Sequence, residues 1–273
     1  MKAPSMLPRL NVGTALDDGW RAFRRAPWLF VGFALLLAVL QFALQAFQPS
    51  LSVDKLPSLT PELLLNDWEA QLPRLTYGAI TLGLLVLTSV VGVVVNLWGT
   101  SGMVRAAWVA LGGGTPSVGT FLRWDPRALL RLYLPGFLLG CGVAVAVVVL
   151  VLLAVVLGQV SPLLVVPPAL LLLAAALYLS LSQSFLPQVA LIHDDHPFDA
   201  LARGRQMVDP VWPQVLLLAL LNGGLVLAGA LACGVGLFVA IPLVACVATA
   251  AYRQLFGPVD HTGFTRRELA ARR

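Results

Sequence analysis

Charge is what this 273-residue chain has least of: Asp, Glu, Lys and Arg make up 11% of it, against roughly a quarter of a soluble domain. So few charges cannot solvate a globular surface of this size. Lysine is nearly absent, with only Lys2 and Lys55 beside sixteen arginines. Cysteine is limited to Cys141, Cys233 and Cys246, an odd number without metal-ligand spacing. This excludes a zinc knuckle or a disulfide framework and leaves three small apolar residues. There is no His-Glu-x-x-His, no Gly-x-Ser-x-Gly and no Walker-type glycine loop, so the hydrolase and nucleotide-cleaving mechanisms that need them have no footing. No Asp, Glu, Lys, Arg or His stands at the centre of an apolar run, which argues against a proton relay, a charged-substrate gate or a voltage sensor. The expectation is a chain with no catalytic residues, no cofactor and no metal.

What is present is apolar: 59% of the residues, with mean hydropathy +0.87. A membrane-crossing helix needs about 20 mainly apolar residues. Such runs are predicted near 27–48, 76–99, 134–158, 163–189, 213–232 and 234–252. The first lies behind a long polar lead and has no small-x-small cleavage site, so it reads as a retained span rather than a signal peptide. The predicted fold is all-α: a polytopic bundle of six transmembrane helices in three hairpins, forming one domain over 1–253, with a basic tail over 254–273.

Sixteen of the eighteen cations fall in segments on the N-terminal side of the membrane, leaving Lys55 and Arg74 opposite beside Asp54, Glu62, Asp67 and Glu69. The positive-inside rule therefore places both termini in the cytoplasm. A net charge of +5 makes anionic lipid headgroups the expected partners, at about 1 kcal/mol per well-placed cation. The cations are too dispersed, and too free of accompanying motifs, for nucleic acid. Tryptophan follows the same map. Trp28, Trp98 and Trp212 end spans on the basic side, and Trp20, Trp108 and Trp124 lie in basic-side segments, as amphipathic rings do at headgroup depth. Trp20, Trp28, Trp98, Trp124 and Trp212, with Arg21, Arg24 and Arg25, are the predicted interfacial anchors. On the other side, Leu64, Leu65, Trp68 and Leu72 have helical spacing behind Thr60-Pro61, predicting a short helix on the outer surface.

Each hairpin is preceded by an amphipathic segment. Leu16, Trp20 and Phe23 recur at i, i+4 and i+7 behind Thr14 as N-cap. Phe121, Trp124, Leu129, Leu132 and Tyr133 interleave with Arg123, Arg127 and Arg131 before the third span. Phe198, Leu201, Val208 and Trp212 precede the fifth. All three are read as interfacial helices. Ala15-Leu16 with Gly19 and Ala200-Leu201 with Gly204 share a spacing, which either marks an ancient duplication or reflects two similar lead-in helices.

The amphipathic lead-in at Thr14 to Pro27, the glycine-flanked segment Gly99 to Arg105, the Gly-x-x-Pro-Ser turn at Gly113 to Ser117, the acidic exit at His193 to Pro197 and the last hairpin from Gly234 through Pro242 to Arg253 come in a telling order. Together they resemble a bacterial group of six-helix proteins that includes the YciC-like inner-membrane proteins and the membrane domain ahead of some glycerophosphodiester phosphodiesterases. The resemblance implies a fold and a bacterial inner-membrane location, without an activity. Asp18-Gly19-x-x-Ala22 shares the opening of the CDP-alcohol phosphotransferase signature, but Phe23 stands where arginine is required and the later metal-binding aspartates are missing.

Among polar groups, His193-Asp194-Asp195-His196 reads as an exit turn in which Asp195 or Asp199 caps the helix near Pro197. Gln41, Gln45, Asn96, Ser180, Ser182, Gln183, Ser184 and Gln188 read as hydrogen-bonding glue between helices. Asn222-Gly223-Gly224 and Pro242 interrupt the two last spans at similar depth. That pattern predicts either close helix packing or, with Gln183, a ligand or lipid site. Gly136, Gly140 and Ala144, with Gly142 nearby, form a small-residue ridge in the third span. Two functions follow. One is a non-enzymatic scaffold, assembly factor or complex subunit in the membrane. The other is a carrier or channel for a neutral or lipid-like substrate that uses the last hairpin.

Overall fold

The computed structural model describes residues 10–48, 68–193 and 196–265, and of 68–75 and 162 the backbone alone. Residues 61–67 of the predicted outer-surface helix, Asp194 and Asp195 of the exit turn, and the last eight residues of the tail lie outside the described residues, whereas Trp68 and Leu72 belong to the start of a long helix that runs to Leu111. Among the described residues ten α-helices follow in order: α1 (Val12–Arg24), α2 (Pro27–Ala46), α3 (Trp68–Leu111), α4 (Val118–Leu122), α5 (Pro126–Val160), α6 (Val166–Ser182), α7 (Leu186–Ile192), α8 (Pro197–Val208), α9 (Trp212–Leu231) and α10 (Leu237–Phe256). No strand occurs among the described residues. Among the described residues six helical segments are long and apolar enough to cross a membrane: Pro27–Ala46, Thr76–Leu111, Pro126–Val160, Leu163–Ile192, Pro197–Leu231 and Leu237–Phe256.

Several boundaries differ from the sequence reading, each for a local reason. The segment Gly99 to Arg105 is no separate helix but the continuation of α3 to Leu111. Arg123 closes α4, and a new helix starts at Asp125, whose carboxylate accepts from the Ala128 N–H, with Pro126 at the first position. Leu129, Leu132 and Tyr133 thus belong to the third long helix rather than to a detached interfacial one. Pro135 lies inside α5 without ending it. The fourth span is in two pieces, since α6 stops at Ser182 and α7 starts at Leu186. There the Ser182 and Ser184 hydroxyls donate to the carbonyls of Leu179 and Leu181, competing with the helix ladder, and Pro187 brings no N–H of its own. Conversely, α9 runs unbroken through Asn222-Gly223-Gly224 and α10 through Pro242, so neither helix of the last pair is interrupted.

The chain divides into two compact units, one made of the described residues up to Ala34 and from Leu97 onward, the other of Leu35–Asn96. In the first unit the centre is the last part of α3, where every residue from Ser101 to Ala110 is buried. A helix buried all round must be apolar all round, and this one is, apart from Ser101 and Arg105. Phe30 and Phe33 of α2 meet Phe121 of α4 with ring centroids 5.0 and 5.1 Å apart. Gly102 lets α4 approach so closely that a Cβ there would lie 2.6 Å from the Phe121 carbonyl oxygen.

Helix α1 packs on α10 through a face of small residues. Its buried stripe is Ala15, Gly19 and Ala22, with Phe23, one residue round from the predicted Leu16-Trp20-Phe23 stripe. The reason is size: a Cβ on Gly19 would stand 2.6 Å from the Val247 Cα, and only a glycine-alanine face lets two backbones come that close. The N-cap is Asn11, not Thr14: the Asn11 side chain accepts from the Thr14 N–H. Gln254 of α10 accepts from the Asn11 N–H and donates to the Thr14 hydroxyl, both at 2.9 Å, which fixes the register of the pair.

Candidate functional site

The residues predicted to form a site in the last hairpin have separate surroundings. Gln183 lies in the break between α6 and α7 and donates to the Leu201 carbonyl of α8 at 3.3 Å. Pro242 is buried within α10. Asn222 is half-buried in α9, its side-chain oxygen without a hydrogen-bond partner. A Cβ on Gly223 or Gly224 would meet no atom within 4 Å, so these glycines do not mark an intrachain contact either. The same open space faces Gly136, Gly140 and Gly142 of the third-span ridge. The close approach in this pair of helices is elsewhere, at Gly229 against Gly236, where a Cβ on Gly229 would lie 2.9 Å from the Gly236 backbone.

The glue reading of the polar residues holds for few of them. The hydroxyls of Ser180, Ser182 and Ser184 each donate to a carbonyl three residues back in their own chain segment. Gln188 is buried with its side-chain oxygen unpartnered. Gln41 and Gln45 line a crevice in the second unit, together with Gln48, Thr88, Ser89 and Asn96, with a volume of about 760 Å³. Gln41 donates across it to the Gly92 carbonyl at 3.5 Å, the outer limit of a hydrogen bond. At 1.5 Å per residue Gln41 stands about 21 Å along α2 from Pro27, and Gln45 and Gln48 flank its last residue, Ala46, so the crevice lies at the far end of α2.

The anchors divide into two classes. Trp20, Trp28, Trp124 and Trp212 are exposed. Trp98 is half-buried, with its ring 5.4 Å from that of Phe33 and its indole N–H donated to the Leu122 carbonyl. Trp108, read as part of the aromatic belt, is instead 5% exposed and packs beside Tyr252. Arg21 pairs with Asp17 and lies 3.8 Å from Asp18, Arg24 is exposed, and Arg25 donates to the Ala110 carbonyl at 2.7 Å.

Sequence reasoning missed three features. Arg105 is wholly buried, donating to the carbonyls of Thr120 and Arg123 and capped by the Phe264 ring at 4.3 Å. Burying a guanidinium is costly unless its N–H groups are satisfied and its charge meets electron density. The signal was its place among Met103, Val104, Ala106 and Ala107. The second feature is the start of the tail, which is packed rather than free. The Asp260 carboxylate accepts from the Phe264 and Thr265 N–H groups and from the hydroxyls of Thr262 and Thr265. The His261 N–H donates to the Ile192 carbonyl, and the His193 and His261 rings lie 4.7 Å apart. At the exit turn, His196 rather than Asp195 or Asp199 is the cap residue of α8, with Asp199 in the first turn.

The third is an open cleft of about 390 Å³ where α1, α3 and α10 end together, lined by Asp18, Arg21, Arg25, Arg253, Gln254 and the last residues of α3. The Arg253 guanidinium lies 5.1 Å from the Trp108 ring centroid. Among the described residues no three of His, Cys, Asp and Glu converge on a point where they could hold a metal.

No curated protein and no solved structure matches this chain. The model of one family, described as a domain of unknown function (DUF7847), matches residues 10–262. With nearly the whole length covered, the chain belongs to that family of unknown function.

Proposed function

We propose that this protein is a non-enzymatic subunit or assembly factor of a membrane complex, holding its partners through helix-to-helix contact in the bilayer. The observation that carries the reading is the split behaviour of its glycines. Gly19, Gly102, Gly229 and Gly236 press on a neighbouring backbone, whereas Gly83, Gly136, Gly140, Gly142, Gly223 and Gly224, all in the long apolar helices, face nothing within 4 Å. A glycine inside a helix costs about 1 kcal/mol against alanine, and membrane helices recover that cost where a second helix approaches. Asn222 adds a polar group without a partner beside two of these glycines, a further reason for an incoming helix. The distribution of arginine supports cytoplasmic termini, and the resemblance to the YciC-like group supports a bacterial inner membrane. The basic ends of the spans suit anionic headgroups.

The test is native mass spectrometry of the protein extracted gently from its own membrane, combined with crosslinking from Cys141, which is exposed between Gly140 and Gly142. A stoichiometric protein partner, or a second copy, crosslinked at Cys141 is the expected result. A single chain with no crosslink in native membranes would overturn it.

A carrier for a small neutral substrate is the second reading. The crevice of Gln41, Gln45, Gln48, Thr88, Ser89 and Asn96 favours it, because amide and hydroxyl groups there can replace water around an uncharged polar molecule. The site then belongs to the first pair of spans and not to the last. Uptake into proteoliposomes that survives Gln41→Leu with Gln45→Leu would remove this reading.

A further inference from the structure

We propose that the cleft among α1, α3 and α10 is a binding site for one phosphate-bearing anion, held by Arg25 and Arg253 with Arg21 beside them. Three guanidinium groups and one carboxylate, Asp18, line the space; Arg21 is also paired with Asp17, so the cluster keeps one positive charge in excess, with Arg25 and Arg253 the cations turned to a phosphate group. Arginine is suited to the task because its planar fork places parallel N–H donors on phosphate oxygens.

The cleft is also held in shape. Arg25 commits one of its five donors to the Ala110 carbonyl, which orients the rest. Arg253 lies against the Trp108 ring and within the field of the Asp18 carboxylate. The frame behind them is the Gly19 to Val247 contact and the Gln254 clamp on Asn11 and Thr14, so α1 and α10 cannot drift apart to relieve the repulsion between like charges. A volume of about 390 Å³ is at the small end for ligand pockets and accommodates a phosphate with a short alcohol.

By position along the chain the cleft lies where α2 begins and where α3 and α10 end, at the limits of three apolar spans. A lipid headgroup and a soluble phosphate ester could both reach it. The proposal goes beyond the subunit reading, since neither helix association nor diffuse attraction of a membrane to arginines requires a discrete site.

The experiment uses the full chain in phosphatidylcholine nanodiscs. In one arm phosphatidic acid is added and retained lipid is counted by native mass spectrometry. In the other, inorganic phosphate and glycerol 3-phosphate are titrated and the thermal shift is recorded. One phosphatidic acid per chain identifies a headgroup site, and a saturable shift with glycerol 3-phosphate identifies a soluble ligand. In either case Arg253→Gln should weaken binding about tenfold or more, the loss of one charge-assisted contact, while Arg24→Gln leaves it unchanged. Asp18→Asn, at an exposed position that keeps the fold, should tighten binding severalfold. No binding in both arms, equal loss in Arg24→Gln and Arg253→Gln, or an unchanged affinity in Asp18→Asn would each overturn the proposal. None of these results bears on the subunit reading, which is decided by copy number and crosslinks.

Discussion

The end of α3 and the middle of α5 are both helical, both rich in small and branched apolar residues, and opposite in their surroundings. From Ser101 to Ala110 every residue is buried, while none of the most apolar stretch of α5 is. The same contrast runs through the molecule. Buried side chains concentrate where α1, the start of α2, α3, α4, α7 and α10 meet, with Phe30, Phe121, Phe185, Val247 and Tyr252 among them, whereas the long spans expose Val145, Val148, Leu152, Val156, Leu170 and Leu173. In water such surface would collapse at roughly 25 cal/mol per Å². In a bilayer it costs nothing, because lipid tails are as apolar as leucine. Within the first unit the fold is therefore specified by the packed helix ends rather than by the exposed apolar lengths.

The largest effect expected follows from that asymmetry. Gly19→Leu puts a side chain where a Cβ alone would be 2.6 Å from Val247. It should cost about 3 kcal/mol, the upper part of the overpacking range, and detach α1 from α10. A strongly lowered detergent melting temperature and rapid amide exchange over Val12–Arg24 would show it. Survival of the wild-type melt would mean that the packed end does not govern the fold.

A second substitution sharpens the contrast between buried polarity and exposed polarity. Arg105→Met keeps length and apolar stem but removes the donors to the Thr120 and Arg123 carbonyls and the cation beneath Phe264. With those carbonyls losing their charged donor, a loss of about 2–3 kcal/mol is expected, together with protease cleavage in 257–265 as the Phe264 contact is released. Arg24→Met, at an exposed position, should leave both readings unchanged. Smaller again is Gln254→Ala, which removes two hydrogen bonds to α1 at an exposed edge and should cost about 1–2 kcal/mol, read as faster exchange of the Asn11 and Val12 amides alone.

Much of the span map is legible in the sequence because hydropathy is a property of a stretch: six runs stand out and six helical segments qualify. The ends are less legible, since α3 and α5 extend well past their apolar windows and only local chemistry, such as the Asp125 cap, sets where a helix starts. The α1 face reads one residue out of place because apolar size is the usual sign of burial, whereas the partner backbone at Val247 selects for the absence of size at Gly19. Trp108 misleads for a related reason, since a tryptophan among basic segments looks interfacial until Tyr252 and Arg253 are placed beside it. Nor can spacing reveal the arginine cleft, whose members Arg25 and Arg253 are far apart in the chain. The two lead-in helices that share Ala-Leu and a glycine do carry real information. Gly19 meets Val247 and Gly204 meets the Ser182 carbonyl, so both use the glycine for a close helix contact, whatever their ancestry.

The smallest effect on the chain itself is expected from Gly140→Leu, and it tests what the exposed spans are for. No atom lies within 4 Å of a Cβ at that position, so the side chain fits without repacking, and leucine improves helix propensity by somewhat under 1 kcal/mol. The melting temperature of the isolated protein should therefore stay level or rise slightly. If the ridge of Gly136, Gly140 and Ala144 is a seat for another helix, the same substitution blocks close approach, and the complex recovered from native membranes should lose its partner while the chain stays folded. Lipid alone would fill around a leucine as readily as around a glycine. An unchanged complex size in Gly140→Leu, with no partner crosslinked at Cys141, would thus assign this face to the bilayer and shift the search for partners to the face of α9 that carries Asn222.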